Sequence, residues 1–434
     1  MGVPGFFSWL IRNYKEKKFI VQSLPKKAKV LYIDSNCLFH PQCFKILDNY
    51  PNVNNLDKIE GYMFRRIMNY INYLVDHVNP EIVYISVDGV APLAKIAQQR
   101  KRRFKSVDDN LAKEAIKTKY NKEFNNSWSN IKITPGTQFM EKLHNKIIEN
   151  IKKKIDNKNN KYKYVYSSYH TVGEGEHKIL DDIRKRSKES GTSDDLYVVY
   201  GLDADLFFLS MASQKDNIFL LRESSQLDGR GEKHDLYDPI DDVAEELKYV
   251  SIDHTKACYN NQIIRILEKK LESMEDKELK DKDKVNLKNK NFINDFIFLC
   301  YILGNDFLPH IPSIDIKKNG LDFLLDCYSE IYLKTGLNLV FLQNRKIKIN
   351  YIVLTEILRI CSLKESYYFA KILPEHLEMN KRKKCPHTGD DYAKEMWELD
   401  NIKNIKVEDE IKLGEGKPEE WKLRYYKHYF GELK

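Results

Sequence analysis

The sequence predicts an α/β fold: a mainly parallel central sheet flanked by helices, followed by a more helical C-terminal part. Three observations predict it. Short apolar runs rich in Val, Ile and Tyr recur through the first half of the chain and end in, or lead into, acidic residues. Long stretches of helical periodicity separate them. After about residue 320 the strand signal is lost and the sequence becomes helix-like. Strands alternating with helices of this length favour a parallel sheet covered on both faces.

Each element follows from its own residues. Residues 30–34 (VLYID), 82–88 (IVYISVD) and 196–205 (LYVVYGLDAD) read as buried strands. Residues 164–170 (YVYSSYH) read as another, followed by the turn-like VGEGE. Helical patterns cover 59–78, 91–120, 137–154 and 176–188, and the apolar stretch 292–303 reads as a buried core helix. Residues 152–163 (KKKIDNKNNKYK) suit a solvated loop or a frayed helix end. The nearly all-charged stretch 267–290 suits an exposed helix or an insert. No internal repeat is visible. The expected division is a catalytic part over 1–320 and a helical part over 321–434.

Composition excludes several classes. The 434 residues carry 72 Lys and Arg against 64 Asp and Glu, a balance of +8 that permits nucleic-acid binding without indicating it. Aromatic residues make up 12%, which argues against a disordered or fibrous chain. The longest apolar run, 296–303, is far short of the roughly 20 residues a membrane helix needs. Seven cysteines, scattered at 37, 43, 258, 300, 327, 361 and 385, make no disulfide framework. Cys385 and His387 have no second Cys/His pair nearby, so a zinc site is not expected there. The start resembles neither a signal peptide nor a myristoylation signal. A soluble, reduced, intracellular chain is expected, with the cytoplasm favoured over the nucleus.

Seven carboxylates stand at the ends of elements: Asp34, Asp88, Glu174, Glu176, Asp203, Asp205 and Asp306. Six follow predicted strands, and Asp306 follows the apolar helix through Gly304-Asn305. In a parallel sheet, ligands gather outside the carboxyl ends of the strands. Carboxylates converging there raise one another's pKa unless cations neutralise them. Oxygen ligands without Cys or His point to Mg²⁺, with Mn²⁺ as a substitute, rather than zinc. Two such ions about 3.5–4 Å apart suit in-line hydrolysis of a phosphodiester. Taken singly, each acid is explained as well by helix capping or a turn. Spacing alone supports only a possible metal-dependent hydrolase.

A basic helix follows Asp88 directly. Lys95, Gln99, Arg102 and Arg103 fall at i, i+4, i+7 and i+8 and so share a helix face. Arg forks and a Lys point charge suit a terminal phosphate. A solvated basic face or a nuclear localisation patch is the plain alternative, and closeness in sequence to a candidate metal ligand favours the phosphate.

The residues also carry a resemblance. MGVPGFFSWL at the start, IDSNCLFH at 33–40, VDGVAPLAKIAQQRKRRF at 87–104 and ITPGTQFM at 133–140 are similar to segments of the Xrn family of 5′→3′ exoribonucleases. GEGEHKI at 173–179, YGLDADLFFL at 200–209 and FIFLCYILGNDFLPHIPS at 296–313 continue the match in the family's order. The resemblance implies a PIN/flap-nuclease-like α/β domain with two metal ions in an acidic pocket. It implies degradation of single-stranded RNA from a 5′-monophosphate to mononucleotides. Carried onto this chain, the seven acids stand at the family's metal-binding positions. Lys95, Gln99, Arg102 and Arg103 occupy its 5′-phosphate pocket, and His40 matches a residue that stacks on the first base.

Departures exist. Leu93 stands where the family usually has Arg, and Val172 where Pro commonly precedes Gly-Glu-Gly-Glu. Residues 416–430 (GKPEEWKLRYYKHYF) are similar to the start of the family's second conserved region, so a compact or C-terminally shortened member is implied. Trp421 lies at the beginning of that region and is not assigned to base stacking. A structure-specific flap endonuclease or 5′ exonuclease on DNA, and a catalytically silent RNA-binding relative, are the rival readings. The expected partner is single-stranded RNA with a 5′-monophosphate. No membrane or obligate protein partner is indicated, and a monomer is expected.

Overall fold

The computed structural model describes residues 5–14, 19–50, 55–122, 128–201, 203–228, 238–273, 287, 289–305, 308–344, 346–382, 384–387, 389–403, 412 and 416–431. The chain divides into two compact units, one of residues 1–96, 125–265 and 285–297, the other of 97–124, 266–284 and 298–434.

Strands of the first unit are β1 (Ile20–Val21), β2 (Val30–Asp34), β3 (Ile82–Ser86), β4 (Lys163–Ser167), β5 (Tyr197–Tyr200), β6 (Ile218–Glu223) and β7 (Leu247–Ser251). Among the described residues they form one sheet in the order β1-β7-β6-β5-β2-β3-β4. The five strands from β6 to β4 are parallel, while β7 pairs antiparallel with β6 and β1 antiparallel with β7. From β2 the chain moves outward through β3 to β4 and then returns to the other side of β2 as β5. The strand order therefore reverses between β2 and β5, the place where such sheets bind ligands.

Helices in chain order are α1 (Phe6–Asn13), α2 (Ser35–Asn49), α3 (Leu56–Val78), α4 (Leu93–Lys119), α5 (Gln138–Asp156), α6 (Gly175–Arg186), α7 (Asp205–Ala212), α8 (Ser224–Asp228), α9 (Ile252–Glu272) and α10 (Ile293–Ile302). Alternation along the strands sorts their side chains. Leu31, Ile33, Val83, Ile85 and Val198 are buried with Ile71 and Leu74 of α3 and Leu143 and Ile147 of α5. Tyr32 points the other way, where its hydroxyl donates to Asp182 of α6 at 2.8 Å. Both faces are covered, as buried parallel strands require. The capping residues Asn55 and Thr137 start α3 and α5, their side chains accepting from Lys58 N and Met140 N.

The second unit contains the greater part of α4 and the helices α11 (Gly320–Thr335), α12 (Tyr351–Tyr367), α13 (Leu373–Lys381), α14 (Asp391–Glu398) and α15 (Pro418–Phe430). Trp421 is buried against Phe369, ring centroids 5.0 Å apart, in a small core with Tyr368. One expectation is corrected here, because strands do occur after residue 320. Val340–Gln343 (β8) and Lys346–Ile349 (β9) pair as an antiparallel hairpin. Both are short and mostly exposed: β8 has only four residues (VFLQ), and β9 alternates Lys with Ile and makes no apolar run. No helix among the described residues is long and apolar enough to cross a membrane.

Candidate metal centre

Four connections carry six of the seven candidate acids, all within the first unit. Asp34 ends β2, Asp88 follows β3 by two residues, Glu174 and Glu176 flank the start of α6, and Asp203 and Asp205 lie between β5 and α7. Asp34, Glu174, Glu176 and Asp205 are buried, and Asp88 and Asp203 are partly so. Asp306 lies outside the described residues.

Glycines let these carboxylates approach. A Cβ on Gly175 would lie 2.9 Å from Asp34 Oδ1 and 3.2 Å from Asp88 Oδ1, so the two carboxylates straddle this residue. The Gly175 amide donates to Asp88 Oδ1 at 2.6 Å. A Cβ on Gly201 would meet Leu206 Cδ1 at 2.0 Å and Asp34 Cβ at 3.5 Å, which brings the β5 loop against Asp34. Gly89 is equally constrained, with Thr171 O 1.9 Å from its hypothetical Cβ.

The electrostatics register the crowding. Burial pushes the Asp34 carboxyl well above the usual range, and Asp88 and Asp203 push it further. Glu176 is raised by burial and then by Asp34, Asp205, Asp203 and Glu174. Asp88 rises to about 6, chiefly by burial, with the Gly175 amide, Lys95 and Lys178 holding it down against Glu174. All six acids are thus linked through one another's fields. Capping of their own helices does not account for Asp34 and Glu174. They occupy the N-cap positions of α2 and α6, yet neither side chain accepts a cap hydrogen bond.

Three buried cations, Lys95, Lys178 and Arg222, accompany the acids. Lys95, on the first turn of α4, pairs with Glu174 Oε1 at 3.0 Å, both side chains being 6% exposed. Arg222, buried in β6, donates from Nη2 to the Asp203 carbonyl at 3.0 Å and lies 5.1 Å from the Phe207 ring centroid. Burial lowers its pKa to about 10. Lys178 donates to Val87 O and Ser168 O. Sequence reasoning missed Arg222 and Lys178, because a charged residue inside a strand or on a helix reads as surface.

It also missed His177. Its Nδ1 lies 3.7 Å from Glu174 Oε2, and ligand atoms of Glu174, Glu176 and His177 all fall within 4.8 Å of one another. The signal was adjacency to Gly-Glu-Gly-Glu. Glu174 Oε2 is buried and accepts no hydrogen bond among the described residues. A buried, oxygen-dominated donor set in which Asp34, Asp88 and Glu176 are raised fits a hard divalent cation, whose charge would reverse those three shifts.

The remaining candidates are spread along two helices. His40 lies on α2, partly buried, and burial lowers its pKa, favouring the neutral ring. Gln99, Arg102 and Arg103 lie on the part of α4 that belongs to the second unit. All three are partly exposed, and Arg103 Nη2 donates to Gln99 Oε1 at 3.4 Å.

Known proteins supply a family. The family model described as XRN 5′-3′ exonuclease N-terminus matches residues 1–224, and that of the Xrn1 helical domain matches 284–384. The chain is 32% identical to 5′-3′ exoribonuclease 2 of Candida glabrata over 368 residues, 76% of this chain and 35% of that protein. It is 30% identical to 5′-3′ exoribonuclease 2 of Saccharomyces cerevisiae, covering 77% of this chain and 36% of the relative. With 5′-3′ exoribonuclease 1 of the same yeast it shares 30% identity over 77% of this chain and 21% of the relative. The chain thus spans little more than a third, or less, of these relatives' length. With the N-terminal match covering more than half of its residues, the chain belongs to the XRN 5′-3′ exonuclease family.

Proposed function

We propose that this chain is a 5′→3′ exoribonuclease that hydrolyses single-stranded, 5′-monophosphorylated RNA to mononucleotides with two divalent metal ions, Mg²⁺ in the first place. The observation that carries the reading is the gathering of six carboxylates at the β2/β5 switch point in a chain of an exonuclease family. Asp34, Asp88, Glu174, Glu176, Asp203 and Asp205 would hold the ions, with Asp306 as a seventh ligand. Bound there, the metal supplies charge for the reacting phosphate and a water acidified enough to attack it.

The chain's own residues do the rest. The acids fix where a scissile phosphate can lie, and Gly175 keeps Asp34 and Asp88 close. Lys95, Gln99, Arg102 and Arg103 bind the 5′-monophosphate, so that a cap or triphosphate is excluded. The neutral ring of His40 stacks on the terminal base without reading its identity. In this reading residues 1–320 are the catalytic part, residues 321–434 a helical part resembling the start of the family's second conserved region, and the protein acts as a monomer.

The test uses one single-stranded RNA with a 5′-monophosphate, hydroxyl or triphosphate, incubated with Mg²⁺ or EDTA, with product lengths followed over time. Mononucleotides from the monophosphate alone, and only with metal, support the reading. Internal fragments, or cleavage of a branched DNA instead, would replace it with a flap-nuclease activity.

A further inference from the structure

Lys178 lies in the first turn of α6, two residues beyond Glu176, and its side chain is buried with 8% exposure. Its ammonium donates to Val87 O at 2.7 Å and to Ser168 O at 3.0 Å. These carbonyls belong to two different strands' exits. Val87 precedes Asp88 at the end of β3, and Ser168 opens the turn that leads from β4 to Glu174. The same corner is laced by Val87 N to Ser167 O at 3.0 Å, Gly89 N to Gly173 O at 2.9 Å and Gly173 N to Val90 O at 2.9 Å. Burying an ammonium on two neutral carbonyls is costly, and a methionine would fill similar space without that cost. A cation at this point has a use beyond packing, because the Val87 carbonyl it holds belongs to the residue directly before Asp88.

We propose that Lys178 is a positioning residue: its ammonium ties the first turn of α6 to the exits of β3 and β4, and so fixes the spacing of Glu174 and Glu176 against Asp88. The proposal rests on the metal-centre reading above. Lys178 touches neither metal nor RNA in this account; it acts through the three acids. The outer partners of metal ligands commonly control affinity in this way.

The test measures Mn²⁺ binding to the metal-free protein by calorimetry, alongside the Mg²⁺ dependence of RNA degradation, for wild type, Lys178→Met and Lys178→Arg. Lys178→Met is expected to weaken Mn²⁺ binding about tenfold or more and to raise the half-activating Mg²⁺ concentration by a similar factor. Turnover at saturating Mg²⁺ stays within about fivefold of wild type, and Lys178→Arg recovers part of the lost affinity. Lowered thermal stability with unchanged Mn²⁺ affinity and Mg²⁺ dependence would reduce Lys178 to a structural residue and overturn the proposal. If Lys178→Met does not fold, Lys178→Gln is read by the same criteria. A wild-type chain that binds no Mn²⁺ would instead overturn the metal-centre reading itself, so the two failures are distinct.

Discussion

Replacing Gly175 by Ala separates the stability of the fold from the geometry of the acids. Gly175 opens α6 without a positive φ, so alanine there is favoured over glycine by up to about 1 kcal/mol of helix propensity. The new methyl would lie 2.9 Å from Asp34 Oδ1 and 3.2 Å from Asp88 Oδ1, where ordinary contact begins at 3.4 Å. The two oxygens would have to retreat by about 0.5 Å and about 0.2 Å, a shift comparable with the tolerance of a metal or catalytic constellation. A misplacement of this size is expected to raise the half-activating Mg²⁺ concentration about tenfold and to lower the rate of RNA degradation about 10- to 100-fold. Thermal unfolding of the metal-free protein should change by no more than about 1 kcal/mol in either direction. The assay pairs calorimetric or fluorescence-monitored melting with degradation rates across a Mg²⁺ titration. Wild-type rates and Mg²⁺ dependence in Gly175→Ala would refute the argument that Asp34 and Asp88 act together across this residue.

Three further outcomes are expected. Asp205→Ala abolishes cleavage while the far-ultraviolet circular dichroism stays unchanged; an active variant would remove Asp205 from the site. Arg103→Ala lowers the preference for monophosphate over hydroxyl 5′ ends, and an unchanged ratio of the two rates would end its phosphate role. The metal-free protein loses stability as pH rises from about 4 to 6, because the folded chain holds a proton on Asp88 that the unfolded chain has released. A rise from 3.8 to about 6 corresponds to about 3 kcal/mol, fully lost above the folded value. Melting curves in EDTA should show this slope; added Mg²⁺ should flatten it, and Asp88→Asn should reduce it while leaving the part that Asp34 and Glu176, also raised, contribute. A flat wild-type profile in EDTA would contradict the crowding of the acids.

Much of the first unit was legible because its central strands β2, β3 and β5 are uninterrupted apolar runs, each followed by acidic residues. Strand β6 was missed, since its last two residues are Arg222 and Glu223. Both are buried because the fold supplies partners: Asp203 O for the arginine, and the hydroxyls of Tyr70 and Tyr200, each 2.6 Å away, for the glutamate. Strand β1 has only two residues and lies at the sheet edge, too short for any periodicity. Strand exits were overestimated. Residues 168–170 leave the sheet to form the turn toward Glu174, and Asp205 opens a helix. The acids themselves could be picked out by position, but their convergence depends on the reversal of strand order between β2 and β5, a property no local pattern carries. Lys178 and His177 were hidden for a related reason: whether a polar side chain on a helix faces solvent or the cluster is decided by tertiary packing.

The most direct test of the metal centre is a count of the Mn²⁺ ions bound by the purified chain, by electron paramagnetic resonance of free Mn²⁺, for wild type and Asp34→Asn. Two bound ions in wild type, reduced in number or strongly weakened in Asp34→Asn together with loss of RNA degradation, are the predicted result. A wild-type chain that degrades RNA yet binds no Mn²⁺, or an Asp34→Asn variant that binds two ions as tightly as wild type, would contradict the account.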